Sequence, residues 1–203
     1  MRMEVVFKKP VHALLCLAAI CATAVTTAAW AAGNSLFVAP SIALAFSALA
    51  VIAVARNHPQ MKPVLGIALM GQCIALTAAL SNHMWQIDSH MVFFAALAIL
   101  SVLRDGKTII AATAVVALHH LSLTIAMPAL VYPDGTGLSN LGRTGFHAVV
   151  VLLEAGTLIY AIRRQNDLMH QQTALADAHA HYLREAQKVS DQLQHPKDME
   201  RHR

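Results

Sequence analysis

Six stretches of this sequence each run for about 20 residues almost without charge, the length a helix needs to cross a hydrocarbon layer of about 30 Å. They extend from Val11 to Ala32, Leu36 to Ala55, Pro63 to Leu80, Trp85 to Leu103, Thr108 to Leu130 and Gly145 to Ile162. With 57% hydrophobic and 13% charged residues, the chain falls well short of the roughly one quarter charged residues of a water-soluble domain. The expected fold is an all-α polytopic membrane helix bundle of about six transmembrane helices, residues 1–162, followed by a C-terminal cytoplasmic helix, residues 163–203.

The charges that remain describe topology. Basic residues mark alternate loops: Arg56 and Lys62, Arg104 and Lys107, then Arg163 and Arg164, while Arg143 stands alone among the intervening ones. By the positive-inside rule both termini are expected in the cytoplasm. The outer loops are then Gly33 to Ser35, Ser81 to Met84 and Val131 to Thr144, the last with the turn former Pro133-Asp134-Gly135. A net charge of +4 comes without a continuous basic patch or nucleic-acid motif, so no nucleic-acid partner is expected and membrane lipid is. Arg2, Lys8 and Lys9 ahead of an apolar run ending in Ala29-Trp30-Ala31-Ala32-Gly33 also resemble a signal peptide. The run exceeds the usual apolar region of about 7–15 residues, which favours an uncleaved span; cleavage would leave five. Cys16, Cys21 and Cys73 lie in apolar segments without CxxC spacing and read as small core residues.

Beyond Ile162 the composition becomes polar and helix-favouring through about Gln194, where Pro196 is expected to end the helix. Leu168, Leu175, Tyr182 and Val189 recur every seven residues, with Ala186 and Leu193 partly filling the alternate seam. A solvated single helix and a parallel dimeric coiled coil both satisfy this pattern. The segment has no nucleotide-binding loop and is too short for an output domain. It can transmit but not act.

Of twelve histidines, His12, His58, His170, His179, His181, His195 and His202 fall at the cytoplasmic edge or in the tail, where a solvated imidazole needs no explanation. The other five, His83, His90, His119, His120 and His147, belong to the outer half of the spans. At about 1.5 Å rise per residue, His90 lies roughly 10 Å below the outer boundary, the His119-His120 pair roughly 12–13 Å and His147 roughly 8 Å. His83 lies nearer the surface, within reach if its loop folds inward. Asp88 is within a turn of His90, where it could equally cap the fourth span, and Glu154 lies roughly 12 Å deep. A single intramembrane histidine is most often a helix–helix hydrogen bonder, and each ionisable group in a span costs a few kcal/mol unless compensated. Five imidazoles and two carboxylates at one depth point to a shared partner, and neutral imidazole is the commonest protein metal ligand. Adjacent residues diverge by about 100° on a helix, so one of His119 and His120 is expected as ligand and the other as its support. Asp88 and Glu154 are expected to orient the ligand imidazoles.

These residues also carry a family resemblance. The run from His83 through Trp85-Gln86-Ile87-Asp88-Ser89-His90 to Phe93-Phe94-Ala95-Ala96-Leu97-Ala98, then Ala117-Leu118-His119-His120-Leu121, then Phe146-His147-Ala148-Val149-Val150 with Glu154, resembles the N-terminal multi-helix membrane region of certain bacterial methyl-accepting chemotaxis proteins. The resemblance covers Pro63 to Arg164 and implies an inner-membrane sensory input module whose state passes through the last helix. In those receptors a cytoplasmic signalling rod follows. This sequence reaches Arg203 without one, so it is expected to be a stand-alone relative or a truncated receptor acting through a separate signalling output protein.

Three functions fit a histidine cluster of this kind. In a sensor it holds a transition metal (copper, iron or zinc) or haem b, whose state biases the helical tail. A membrane redox enzyme or cytochrome b-like electron carrier would use the same cluster, but repeated HxxxH or HxxHH boxes and a redox-partner domain are missing. A transporter would use it as an ion or proton path, but the two halves show no inverted repeat. The sensor is the preferred reading, and five imidazoles with two acids exceed what one haem needs, which favours a metal ion.

Overall fold

The computed structural model describes the backbone of residues 2–127 and 141–201 and the side chains of residues 10–127 and 141–193. The described residues contain helices and no strand: α1 (Arg2–Ala31), α2 (Val38–Ala55), α3 (Met61–Ala79), the short α4 (Gln86–Ser89), α5 (Met91–Leu100) with a 3-10 turn (Ser101–Leu103), α6 (Gly106–Ala126) and α7 (Leu141–Arg201). Six helices in this set are long and apolar enough to cross a bilayer, with α4, α5 and the 3-10 turn together forming the fourth. The chain divides into two units, Met1–Ile162 and Arg163–Arg203.

In the first unit the polarity of a water-soluble protein is reversed. Large apolar side chains such as Ile20, Leu44, Leu118, Ile125 and Leu153 are exposed, while the interior is rich in alanine: Ala39, Ala43, Ala50, Ala68, Ala75, Ala96 and Ala112 are all buried. Helices in lipid gain nothing from hiding large apolar groups from one another, so they associate through small residues that let backbones approach. The most buried span is α3, which packs against α1, α2, α5 and α6. Gly71 faces the ring of Phe46 on α2, and Gly66 faces Thr108 on α6, where an added methyl would lie 3.0 Å from the threonine methyl. Gln72 Nε2 donates to the Ala43 carbonyl at 2.7 Å and the Ser47 hydroxyl at 2.9 Å, fixing α3 to α2 by polar bonds that lipid cannot replace.

The loops are tied down by single side chains. Asn34 Nδ2 donates to the carbonyls of Ala79 and Ser81, at 3.0 and 2.9 Å, holding the α1–α2 connection to the end of α3. On the opposite side, Lys62 Nζ donates to the Leu103 carbonyl at 3.1 Å. Arg104 takes a left-handed conformation (φ 54°) to turn the chain, and Asp105 caps α6 by accepting from the backbone N–H (3.1 Å) and the hydroxyl (2.7 Å) of Thr108. Reporter fusions placed after Ser81 and after Lys107 are expected to localise to opposite sides of the membrane, because the basic loop at Arg104 and Lys107 resists translocation. The same side for both would refute the assignment of the loops.

Two boundaries differ from those expected. Helix α7 begins at Leu141 rather than Gly145, drawing Thr144 into the span, where its hydroxyl meets that of Thr124 at 3.0 Å. It also continues through Pro196 to Arg201. Proline in a helix removes one hydrogen bond and costs about 3 kcal/mol without forbidding the conformation. The Pro133-Asp134-Gly135 turn and the end of the expected fifth span lie outside the described residues. In the second unit the seven-residue series Leu168, Leu175, Tyr182 and Val189 is exposed, and Lys188 pairs with Glu185 at 2.8 Å.

Candidate imidazole cluster

Helical geometry explains how four of the five histidines meet. His90 stands where α4 passes into α5, on a tightened turn in which its N–H bonds the Ile87 carbonyl three residues back. His119 and His120 lie on α6, His147 in the first turns of α7. The rings of His90 and His120 are 5.7 Å apart by centroid, those of His90 and His147 6.2 Å, His120 and His147 6.1 Å, and His119 and His120 5.1 Å. His90, His119 and His120 are only 6%, 8% and 7% exposed, and His147 is half-buried.

Three of these rings share one local device. Helical side chains lean toward the N-terminus and over the preceding turn, bringing Nδ1 of His90, His120 and His147 to the carbonyls of Gln86, Val116 and Arg143, at 2.9, 2.9 and 2.8 Å. A carbonyl only accepts, so each Nδ1 carries the proton and donates it. In a neutral ring Nε2 is then the lone-pair nitrogen, the atom that accepts a proton donor or binds a Lewis acid. Nε2 of His90 and Nε2 of His119 are both buried without a hydrogen-bond partner, a condition that costs about 1–3 kcal/mol per polar atom.

Phe93 is the residue that sequence reasoning passed over. Buried three positions beyond His90, it stacks on His119 at 6.0 Å and meets His120 edge-on at 5.7 Å and His90 at 6.1 Å. Its spacing from His90, one helical turn, was the available signal. His119 lies against His120 and Phe93, so the adjacent pair divides its roles: His120 also contacts His90 and His147, whereas His119 packs on Phe93.

The remaining candidates lie apart. His83 is half-buried in the loop, edge-on to Trp85 at 5.8 Å. Its Nδ1 accepts from the Trp85 backbone N–H at 3.2 Å, which commits it locally. Asp88 is exposed and borders a shallow hollow with Leu76 and Trp85; the capping position of α4 belongs to Trp85. Glu154 is two turns beyond His147 on α7, half-buried, with one carboxyl oxygen buried and unpartnered. The chain matches no family model, no curated protein and no solved structure.

A metal ion fits the donor chemistry of three of the rings, His90, His120 and His147, in which a carbonyl holds Nδ1–H and Nε2 is the lone-pair nitrogen, the arrangement usual in ligand histidines. It does not find a finished coordination shell: among the described residues no three His, Cys, Asp or Glu side chains converge on one point. Binding would require the rings to turn about their Cβ–Cγ bonds.

Proposed function

We propose that this chain is an inner-membrane sensory input module of the kind found in bacterial methyl-accepting chemotaxis proteins, sensing through the imidazoles of His90, His119, His120 and His147. The observation that supports this most is the shared Nδ1–H to carbonyl bond on three separate helices, which orients the rings and leaves lone pairs in a low-dielectric site. The bound group in this reading is a transition-metal ion, copper, iron or zinc, supplying a charge or redox state that the rings register. Haem b, which also takes imidazole ligands, is the alternative occupant. The cavity bordering the cluster is about 340 Å³.

The chain's own residues account for the remainder. Phe93 and the apolar walls exclude water, and the backbone carbonyls hold the rings. Helix α7 carries both His147 and the tail, so a shift at His147 biases the helix that leads to a separate signalling protein. Protein purified gently without chelator is expected to contain, or take up, close to one metal ion per chain by elemental analysis. Neither content nor uptake would return the histidines to helix–helix hydrogen bonding.

The exposed seven-residue series of the tail supports a parallel homodimer. Single cysteines at positions 168, 175, 182 and 189 are expected to crosslink in membranes more readily than cysteines at 174 or 191. Uniform crosslinking would leave a solvated single helix.

A further inference from the structure

The α6·α7 seam extends beyond the imidazoles into a space that a metal ion would leave unfilled. Between the two helices lies the cavity of about 340 Å³, near the lower end of the roughly 300–1,000 Å³ of small-molecule sites. Its walls are apolar apart from four side chains: Thr113, His120, Thr144 and His147. Two leucines on its border, Leu121 and Leu152, are 54% and 63% exposed on the faces that a bilayer would cover. A ligand would therefore enter from the lipid phase.

Thr113 is the informative residue. Thr77 and Thr157 settle their hydroxyls on the carbonyl four residues back, Cys73 at 3.1 Å and Leu153 at 2.8 Å, and Thr108 and Thr124 find side-chain partners. Thr113 is 9% exposed, borders the cavity, and its hydroxyl has no partner. A buried hydroxyl left unbonded costs about 1–3 kcal/mol, which a ligand oxygen in the cavity would recover.

Two turns along the same helix is His120, whose Nδ1–H is taken by the Val116 carbonyl. Its remaining nitrogen accepts, so the ligand group it meets must donate. The seam runs with Thr124 opposite Thr144, His120 opposite His147 and Gly106 near Ile159. As numbers fall on one helix they rise on the other, so Thr113 comes level with Leu153 and Glu154, whose unpartnered oxygen adds polarity at that depth. The cavity thus has the Thr113 hydroxyl at one end, the His120 acceptor at the other and apolar walls between.

We infer that this cavity binds a para-hydroquinone headgroup drawn from the bilayer, one ring oxygen on Thr113 and the opposite hydroxyl donating to His120. Such a ring, with one hydrogen bond of about 2.8 Å at each end, suits the roughly 10 Å of helix rise between positions 113 and 120. The lipid-facing mouth leaves room for an apolar tail. This goes beyond the metal reading and supplies a stimulus class for the sensor. Because both uses draw on His120, the test is made on chelator-treated protein, so that the two readings can fail separately.

The full chain in lipid nanodiscs is titrated with decyl-1,4-hydroquinone under argon, binding being read by ligand-observed NMR. Saturable binding is expected, weakened at least tenfold for the dimethyl ether of the same ring, which cannot donate. Thr113→Val, which keeps the shape and removes the hydroxyl, should weaken it at least tenfold. Ala148→Phe, filling the cavity from an exposed position, should abolish it with helical content unchanged, and Thr157→Val should leave it intact. Equal affinity for hydroquinone and dimethyl ether, or undiminished binding by Thr113→Val, would overturn the assignment in favour of unspecific occupation by apolar chains. Tighter binding of tailless hydroquinone by tenfold or more would overturn entry from the bilayer.

Discussion

A His120→Ala chain is expected to retain at most about one tenth of the parent's metal affinity, the loss typical of groups that support a ligand, and a direct ligand should lose more. His120 is placed for the largest effect because its ring touches those of His90, His119 and His147. His90→Ala should follow closely, since it removes a buried unpartnered Nε2 and the ring linking α5 to α7. His119→Ala should separate the roles. If His119 chiefly packs on Phe93, it will cost thermal stability more than affinity. His83→Ala and Asp88→Asn should leave the metal bound, because His83 packs on Trp85 and Asp88 is exposed away from the rings. His58→Ala and His170→Ala serve as controls. Elemental analysis after dialysis, with a melting curve for each variant, checks the series. Equal retention by His120→Ala and His58→Ala would remove the cluster from metal binding.

Gly71→Ala is expected to destabilise the bundle by about 1–3 kcal/mol, the usual cost of overpacking a tight interior. The added methyl would lie inside the ring of Phe46, and neither side can retreat easily. Gln72, the next residue, holds α3 to α2 through Ala43 and Ser47. Phe46→Ala should therefore rescue Gly71→Ala: the double variant is expected to melt above the single one, a coupling that independent sites do not show. Gly156→Ala, whose new methyl meets nothing within 4 Å, should be neutral or stabilise by up to about 1 kcal/mol by the ordinary helix preference. Thermal unfolding in a mild detergent distinguishes these outcomes. A Gly71→Ala melt equal to the parent's would mean that α2 and α3 stand further apart than described.

The six helices were legible because helices long and apolar enough to cross a bilayer share one length, and runs such as Val38–Ala55 satisfy it with no charged residue. The juxtaposition of His90, His120 and His147 was legible in the same way: fixed rise per residue converts sequence position into depth, and three helices placed imidazoles in one slab. Rotation about each helix axis was not legible. Depth put Asp88 beside His90, yet two residues amount to about 200° of turn, and the carboxylate faces away. For the same reason Phe93, one turn from His90, entered the cluster unannounced. The early start of α7 was hidden because Leu141 to Thr144 includes Gly142 and Arg143, residues that resemble a loop when judged by hydropathy alone.

The Thr124–Thr144 contact has a mechanical meaning. Slide α7 by one turn along α6 and position 144 would be replaced by Ala148, and position 147 by Val151; neither could renew the hydroxyl or imidazole contacts. Such a slide forfeits both contacts, so in the proposed sensor the motion that keeps them is a swing about the Thr144 end of the span. Thr144 would then be its fulcrum. Ile162 lies roughly 27 Å further along at about 1.5 Å per residue, so a tilt of about 5° moves it by roughly 2 Å. A shift of a few tenths of an ångström at His147, close to the pivot, would be magnified several-fold where the span ends: in the proposed sensor the first span-length of α7 would be a lever with its short arm at the imidazoles.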